Sequence, residues 1–216
     1  MRQFPDSYDS TQHIYYCIYK LHFYKDYIRR YERLIKEENA EYEKFLNDPD
    51  SYFELGPKFN FEHNHYANLS NEFPNTLRRS AFISLWSYFE NSLNVLCEVY
   101  EFHRSLNVSY NEMKGKGIDR SKLYLTKIIG LDFPTSSNWD KIRKLQRIRN
   151  NIVHSYSELS NDDTRLLSDI SSFPYLKLYH LPSKSIIEIE ELFLESIIDV
   201  FESFYREILE SIKKKV

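Results

Sequence analysis

The sequence predicts an all-α protein, an antiparallel helical bundle with a long N-terminal helix and one small β-hairpin near residues 175–189. Three observations carry that expectation. Four Gly and seven Pro in 216 residues are few for a β-rich chain with many turns. Apolar residues recur at steps of three and four over long windows, the period of a helix buried along one face. Charged residues make up 28% of the chain with a net charge of −3, which argues against disorder. A chain of 216 residues suits one extended domain, so 1–216 is read as a single unit with an N-terminal helix over 1–48 and a core over 75–216.

The first element is a helix from about Asp9 to Asn47. Cys17, Leu21, Tyr24, Ile28, Tyr31 and Ile35 follow 4-3-4-3-4 spacing and form one apolar stripe. The repeat fails at Glu38, which favours a bundle helix over a free coiled coil. Asp48-Pro49-Asp50 stops it and Gly56-Pro57 marks a loop, with no element assigned to 58–72. A second helix is expected from about Asn75 to Leu106, burying Leu85, Phe89, Leu93, Leu96 and Tyr100, with Pro74 in its first turn, where a missing N–H costs nothing. Lys114-Gly115-Lys116-Gly117 reads as a flexible link, and a shorter helix from about Ser121 to Ile129 ends at Gly130. Pro134 with Ser136-Ser137 forms the next turn.

The following helix opens on Ser137-x-x-Asp140, a capping-box pattern, and buries Ile142, Leu145, Ile148 and Ile152. Another helix is expected from about Asn161 to Ser171. Tyr175–Tyr179 and Ser185–Ile189 read as short strands around Pro182-Ser183-Lys184. A closing helix from about Glu190 to Lys214 buries Phe193, Ile197, Val200, Phe204 and Ile208, and its terminal lysines suit a helix C-terminus.

Chemistry concentrates in Arg149-Asn150-Asn151-Ile152-Val153-His154-Ser155-Tyr156. Arginine is always charged, and its planar fork matches two phosphate oxygens at once. Histidine titrates near neutral pH and can carry a proton. A base that deprotonates an RNA 2′-hydroxyl lets that oxygen attack the adjacent phosphate, with no metal required. Arg143, Arg147, Asn150 and His154 line a polar ridge at 4-3-4 spacing, with Lys141 and Lys144 nearby and no acidic residue between Asp140 and Glu158. Arg143, Arg147 and Lys144 are therefore candidate substrate-binding cations.

Arg149, Asn150, His154 and Tyr156 resemble the R-N-x3-H-x-Y form of the R-x4-6-H motif of the HEPN superfamily, all-helical domains that are frequently metal-independent endoribonucleases in toxin–antitoxin and antiviral systems. Residues 81–93, an aromatic run containing Glu90, are similar to the family's earlier core helix, so the likeness covers about 75–212. The resemblance implies an RNA substrate and a toxin or phage-defence role. Arg149 would stabilise the phosphate, His154 act as general base or acid, Asn150 orient either, and Glu90 help fix Arg149. It implies no cofactor, an antitoxin partner such as a nucleotidyltransferase, and Tyr156 as a position where such a partner attaches AMP.

On a straight helix, Arg149 and His154 lie roughly 140° apart. The Arg side chain can wrap partway, the helix can end near His154, or a second copy can complete the site across a two-fold axis; the resemblance favours the third, a homodimer with a composite site. Duller readings make His154 a helix-end residue interacting with the dipole and Arg149 an ion-pair partner of Glu90 or Glu158. The alternative function is a non-catalytic helical module that binds a nucleotide, an RNA or a protein, which a buried and fully paired His154 would favour.

Other classes find little support. Cys17 and Cys97 lack metal-ligand spacing and are expected buried and reduced. The His13, Cys17, His22 group and His63-x-His65 lack three or four converging ligands, so no metal is expected. Met1–Ser10 carries two Asp and a Pro and does not resemble a signal peptide, and no apolar run approaches membrane-spanning length. A cytoplasmic protein with no membrane partner is expected.

Overall fold

The computed structural model describes residues 4, 5, 7–48, 59–104, 108–134 and 136–215, with backbone only for 42, 45, 46, 59–71 and 136. It is 72% helical, as the sequence predicts, with a small three-stranded sheet. Helices run over Ser10–Asn47 (α1), Phe59–Arg104 (α2), Gly117–Lys127 (α3) and Ser136–Ser155 (α4). Strand β1 (Glu158–Ser160), helix α5 (Thr164–Ser171), strands β2 (Leu176–His180) and β3 (Lys184–Ile189), and helix α6 (Phe193–Lys213) complete the chain. The strands pair antiparallel in the order β1-β3-β2. No helix among the described residues is long and apolar enough to cross a membrane.

The core is aromatic. Phe89 of α2 stacks on Phe201 of α6 with ring centroids 4.1 Å apart and planes 14° from parallel. Phe204 and Tyr205 meet the same Phe89 ring, while Phe82 meets Phe193 one end along. The α1 stripe of Cys17, Leu21, Ile28, Tyr31 and Ile35 is buried against α2 and α6, with Tyr24 at its edge. Helix α4 buries Ile142, Leu145, Ile148 and Ile152 as its spacing predicts, packing on α2, α5, α6 and β1. Near the middle of α2, Arg78 donates two bonds to the buried Glu32 of α1 at 2.7 and 2.8 Å and a third to the Ile189 carbonyl at 3.1 Å, tying two helices to β3.

Several boundaries differ from the sequence reading for local physical reasons. Helix α2 begins at Phe59, so Pro74 sits inside it. Residues 59–73 are rich in Asn and His, weak helix formers, and the helix nevertheless runs on both sides of a proline that local propensity would place in a first turn. The stretch around Gly115 and Gly117 is a shaped turn with φ of +98° and +55°, held by Arg120 donating to the Gly115 carbonyl at 3.0 Å. Gly117 opens α3 four residues early, and a Cβ there would collide with the Glu90 carboxylate. Helix α4 begins at Ser136, so Ser137 lies within it, and Asp140 pairs with Lys144 at 3.0 Å. Asn161 precedes α5; Asp163 is the true cap, accepting from the Leu166 amide at 3.0 Å. Strand β1 has no counterpart in the sequence reading, because three residues are too few to show a period.

Cys17 on α1 and Cys97 on α2 are both buried free thiols. Burial pushes the Cys17 thiol up to about 12. His13 hydrogen-bonds the Ser92 carbonyl and the Tyr8 hydroxyl, each at 2.8 Å, and lies 3.4 Å from the Cys17 sulfur, so this pair serves packing. His22 faces Glu202 across 4.0 Å. The loop at Pro49-Asp50 and Gly56-Pro57, and the side chains of His63 and His65, lie outside the described residues.

Two outcomes follow for stability. Phe89→Ala should cost about 3–5 kcal/mol in chemical denaturation, because it opens a cavity beneath three other rings. The Cys17 thiol, raised from an ordinary 9.0 to about 12, keeps its proton in the fold where the unfolded chain would lose it. Its contribution is therefore complete below about pH 9 and disappears as pH rises through about 12. The denaturation midpoint should fall across that window, and native Cys17 should resist iodoacetamide at pH 8.

Candidate functional site

Helix α4 presents its polar ridge opposite the buried isoleucines and ends one residue after His154, so the imidazole stands in the last turn. His154 is exposed and makes no hydrogen bond among the described residues. It lines an open groove of about 380 Å³ together with Arg147, Asn150, Ser155, Asp163 and Arg165. The far wall is the first turn of α5, which β1 and its turns bring back beside α4.

The structure separates the predicted site residues into three groups. Asn150 and His154 share the groove. Arg149 is half-buried and does not line it; its Nη1 donates to Asn150 Oδ1 at 3.1 Å and its Nε is buried without a partner. Asn150 thus joins the two, reaching the groove on one side and holding the guanidinium on the other. The geometric difficulty posed by a 140° separation is real in the fold: the helix ends near His154, yet Arg149 does not turn into the same cleft. No ion pair to Arg149 occurs among the described residues, and Glu158 instead pairs with Lys184 at 2.5 Å.

Glu90 stands elsewhere. Trp86 Nε1 donates to it at 3.1 Å, and its other oxygen lies against Gly117 at the start of α3. Among the described residues no bond joins it to Arg149, so its visible work is to seat α3 on α2.

The three cations read as substrate-binding are all ion-paired, Arg143 and Arg147 with acids from other helices and Lys144 with Asp140 on its own. Arg147 makes a bidentate pair with Asp169 of α5 at 2.5 and 2.9 Å, and that carboxylate is 5% exposed. The Asp169 hydrogen bond holds the Arg147 guanidinium above its ordinary range. Arg143 pairs with Asp119 of α3 at 2.5 Å, and Lys144 with Asp140. The ridge looked uncompensated because only acids within the segment were counted, while Asp119 and Asp169 arrive by folding.

Arg165 is the residue the sequence reading missed. It is exposed, makes no ion pair among the described residues, and stands on the groove wall facing His154 from α5. The signal available was the Asp163 cap, which puts residue 165 in a helix first turn after a short return from α4. Tyr156 is 86% exposed, with φ of +53°, and lies over a second cleft of about 710 Å³ beside Arg79, Glu158 and Tyr179. Its hydroxyl is open to a partner, as a modification position requires, but it does not share the His154 groove.

No family model matches the chain, and no curated protein or solved structure matches it.

Arg147→Ala should destabilise the fold by about 3 kcal/mol, since it leaves the buried Asp169 carboxylate without its cation. Arg149→Ala should cost under about 1 kcal/mol. Urea denaturation of the two variants checks the contrast, and equal losses would show that Arg147 is not the structural member of the pair.

Proposed function

We propose that this chain is a metal-independent endoribonuclease of the HEPN kind, with the groove between α4 and α5 as its site. The observation that supports the reading most is His154 itself: an exposed imidazole, not consumed by any hydrogen bond among the described residues, in an open groove beside Asn150 and Arg165. A buried, fully paired His154 would instead have favoured the non-catalytic module.

In this reading His154 accepts the 2′-hydroxyl proton as O2′ attacks phosphorus. The bond to the 5′-oxygen breaks, and the leaving oxygen takes a proton from the imidazolium or water, giving 2′,3′-cyclic phosphate and 5′-hydroxyl ends. Arg165 neutralises the phosphate from the opposite wall, a role first assigned to Arg149. Arg149 acts through Asn150, holding its amide at the groove. Arg143, Arg147 and Lys144 shape the helix and its neighbours rather than bind substrate. The site so drawn lies within one chain, so a composite site across a two-fold axis is not required. A toxin or defence role, with an antitoxin acting at the exposed Tyr156, is the biological setting this activity suits. The second reading, a non-catalytic module, draws on the groove's small size and on the ion-paired cations.

Cleavage of single-stranded RNA in EDTA tests the chemistry. Wild type should yield cyclic-phosphate ends; His154→Ala should lose at least a hundredfold and Arg165→Ala a comparable amount, both with unchanged circular dichroism. Mixing His154→Ala with Arg149→Ala should restore nothing, whereas regained activity would return the site to a two-chain arrangement. Absence of cleavage, or cleavage that survives His154→Ala, would favour the non-catalytic module.

A further inference from the structure

Helix α1 carries a second stripe on the side away from its buried one. Tyr16, Tyr19, Phe23, Tyr27 and Leu34 are between 47% and 66% exposed. At about 100° per residue they fall within roughly 80° of the helix circumference, nearly opposite the face that packs on α2 and α6. Scattered surface aromatics are ordinary, but five large apolar residues aligned over nineteen positions of one helix, with Arg30 between Tyr27 and Leu34, form a patch. Lys20 lies over the Tyr16 and Phe23 rings at 5.6 and 5.3 Å from their centroids, Asp26 flanks the stripe, and Arg30 stands within it between Tyr27 and Leu34.

We propose that this stripe is a self-association surface, on which a second copy of the chain lays its own α1 antiparallel about Phe23. The argument is the self-complementarity of the pattern. In a reversed copy related by a two-fold axis through Phe23, residue i comes level with residue 46 − i. Phe23 then meets Phe23 of the second copy, and Tyr16 comes level with its Arg30. The two-fold keeps each flank on its own side, so Lys20 lies beside Tyr27 of the second copy and Asp26 beside its Tyr19. Lys20 and Arg30 are each offered a ring and Asp26 a phenol donor, while Arg33 keeps its own Glu37.

The area is sufficient. Aromatic side chains bury about 150–250 Å² each, so four at half exposure plus Leu34 offer on the order of 500 Å² per copy, or about 1,000 Å² in all, where specific association begins. A stacking platform for RNA is the competing use of such rings, but Asp26 and Glu37 stand among Lys20, Arg30 and Arg33, and Glu37 pairs with Arg33 at 3.9 Å, which weakens the attraction for phosphate. The stripe contains no residue of α4 or α5, so this pairing neither supplies nor covers a groove residue and does not rest on the nuclease reading.

Sedimentation velocity of the full chain at micromolar concentration should show a dimer. Phe23→Glu, a change at a residue 58% exposed, should weaken it at least tenfold with unchanged circular dichroism. Phe23→Cys should give a disulfide-linked dimer on mild oxidation, because the two-fold sets that position against itself, while the buried Cys17 and Cys97 should not. A wild type monomeric at 50 µM, or a dimer that survives Phe23→Glu while Phe23→Cys fails to cross-link, overturns the proposal. Phe23-dependent retention of an oligouridylate by a monomeric chain would do so as well, and would reassign the stripe to RNA.

Discussion

Everything in this fold is hung on the crossing of α2 and α6, where Phe89 lies flat on Phe201 and Phe82 meets Phe193. Stacked and edge-on rings bury more area per residue than aliphatic side chains and fix the angle at which two helices meet. Once those two helices are set, α1 has one trough to fill and α4 another, and both present stripes whose period suits a straight helix. The α1 helix is clamped at one end by the Glu32 and Arg78 pair, which is buried and bidentate and so fixes register as well as proximity. The small sheet is secured to the same clamp through the Ile189 carbonyl.

The groove is a by-product of how α4 is braced. A helix with five cations and one acid between positions 140 and 154 would repel itself in isolation, and the fold answers by supplying carboxylates from two sides. Asp119 takes Arg143, and Asp169 takes Arg147. The second of these pairs does two things: it neutralises the helix and it pins α5 alongside, which is what creates a wall opposite His154. A local charge has become a means of building concavity, at the cost of being unavailable to a ligand.

Regular structure was legible wherever the apolar period ran longer than about two turns. The buried faces of α1, α4 and α6 and the later part of α2 could be named almost throughout, Tyr24 and Val200 being half-buried at the edge, because burial on one side of a helix imposes spacing that survives in the sequence. What was hidden had either no period or a distant cause. Strand β1 is three residues long, α2 runs on past Pro74, and the carboxylate that crowds the left-handed Gly117 belongs to Glu90, twenty-seven positions away. At the candidate site the composition of the 149–156 segment was legible and its arrangement was not. Arg149 and His154 diverge around the helix axis and Tyr156 lies beyond its end in a left-handed turn, so the three face different surroundings, while Arg165 reaches His154 through a chain reversal that no local pattern encodes.

The corner after α4 has a consequence for how this protein can vary. Tyr156 and Ser157 both adopt left-handed backbone, at φ of +53° and +69°, a conformation that disfavours side chains by about 1–2 kcal/mol per residue, and Ser157 is buried. That abrupt reversal sets which way Leu159 points, and Leu159 is the inward residue of β1, opposite Ser185. Adding or deleting one amino acid here would rotate the strand by half a period, expelling the leucine and driving Glu158 or Ser160 inward. Natural variants of this chain should thus tolerate changes of identity at the corner, glycine above all, far more readily than changes of length.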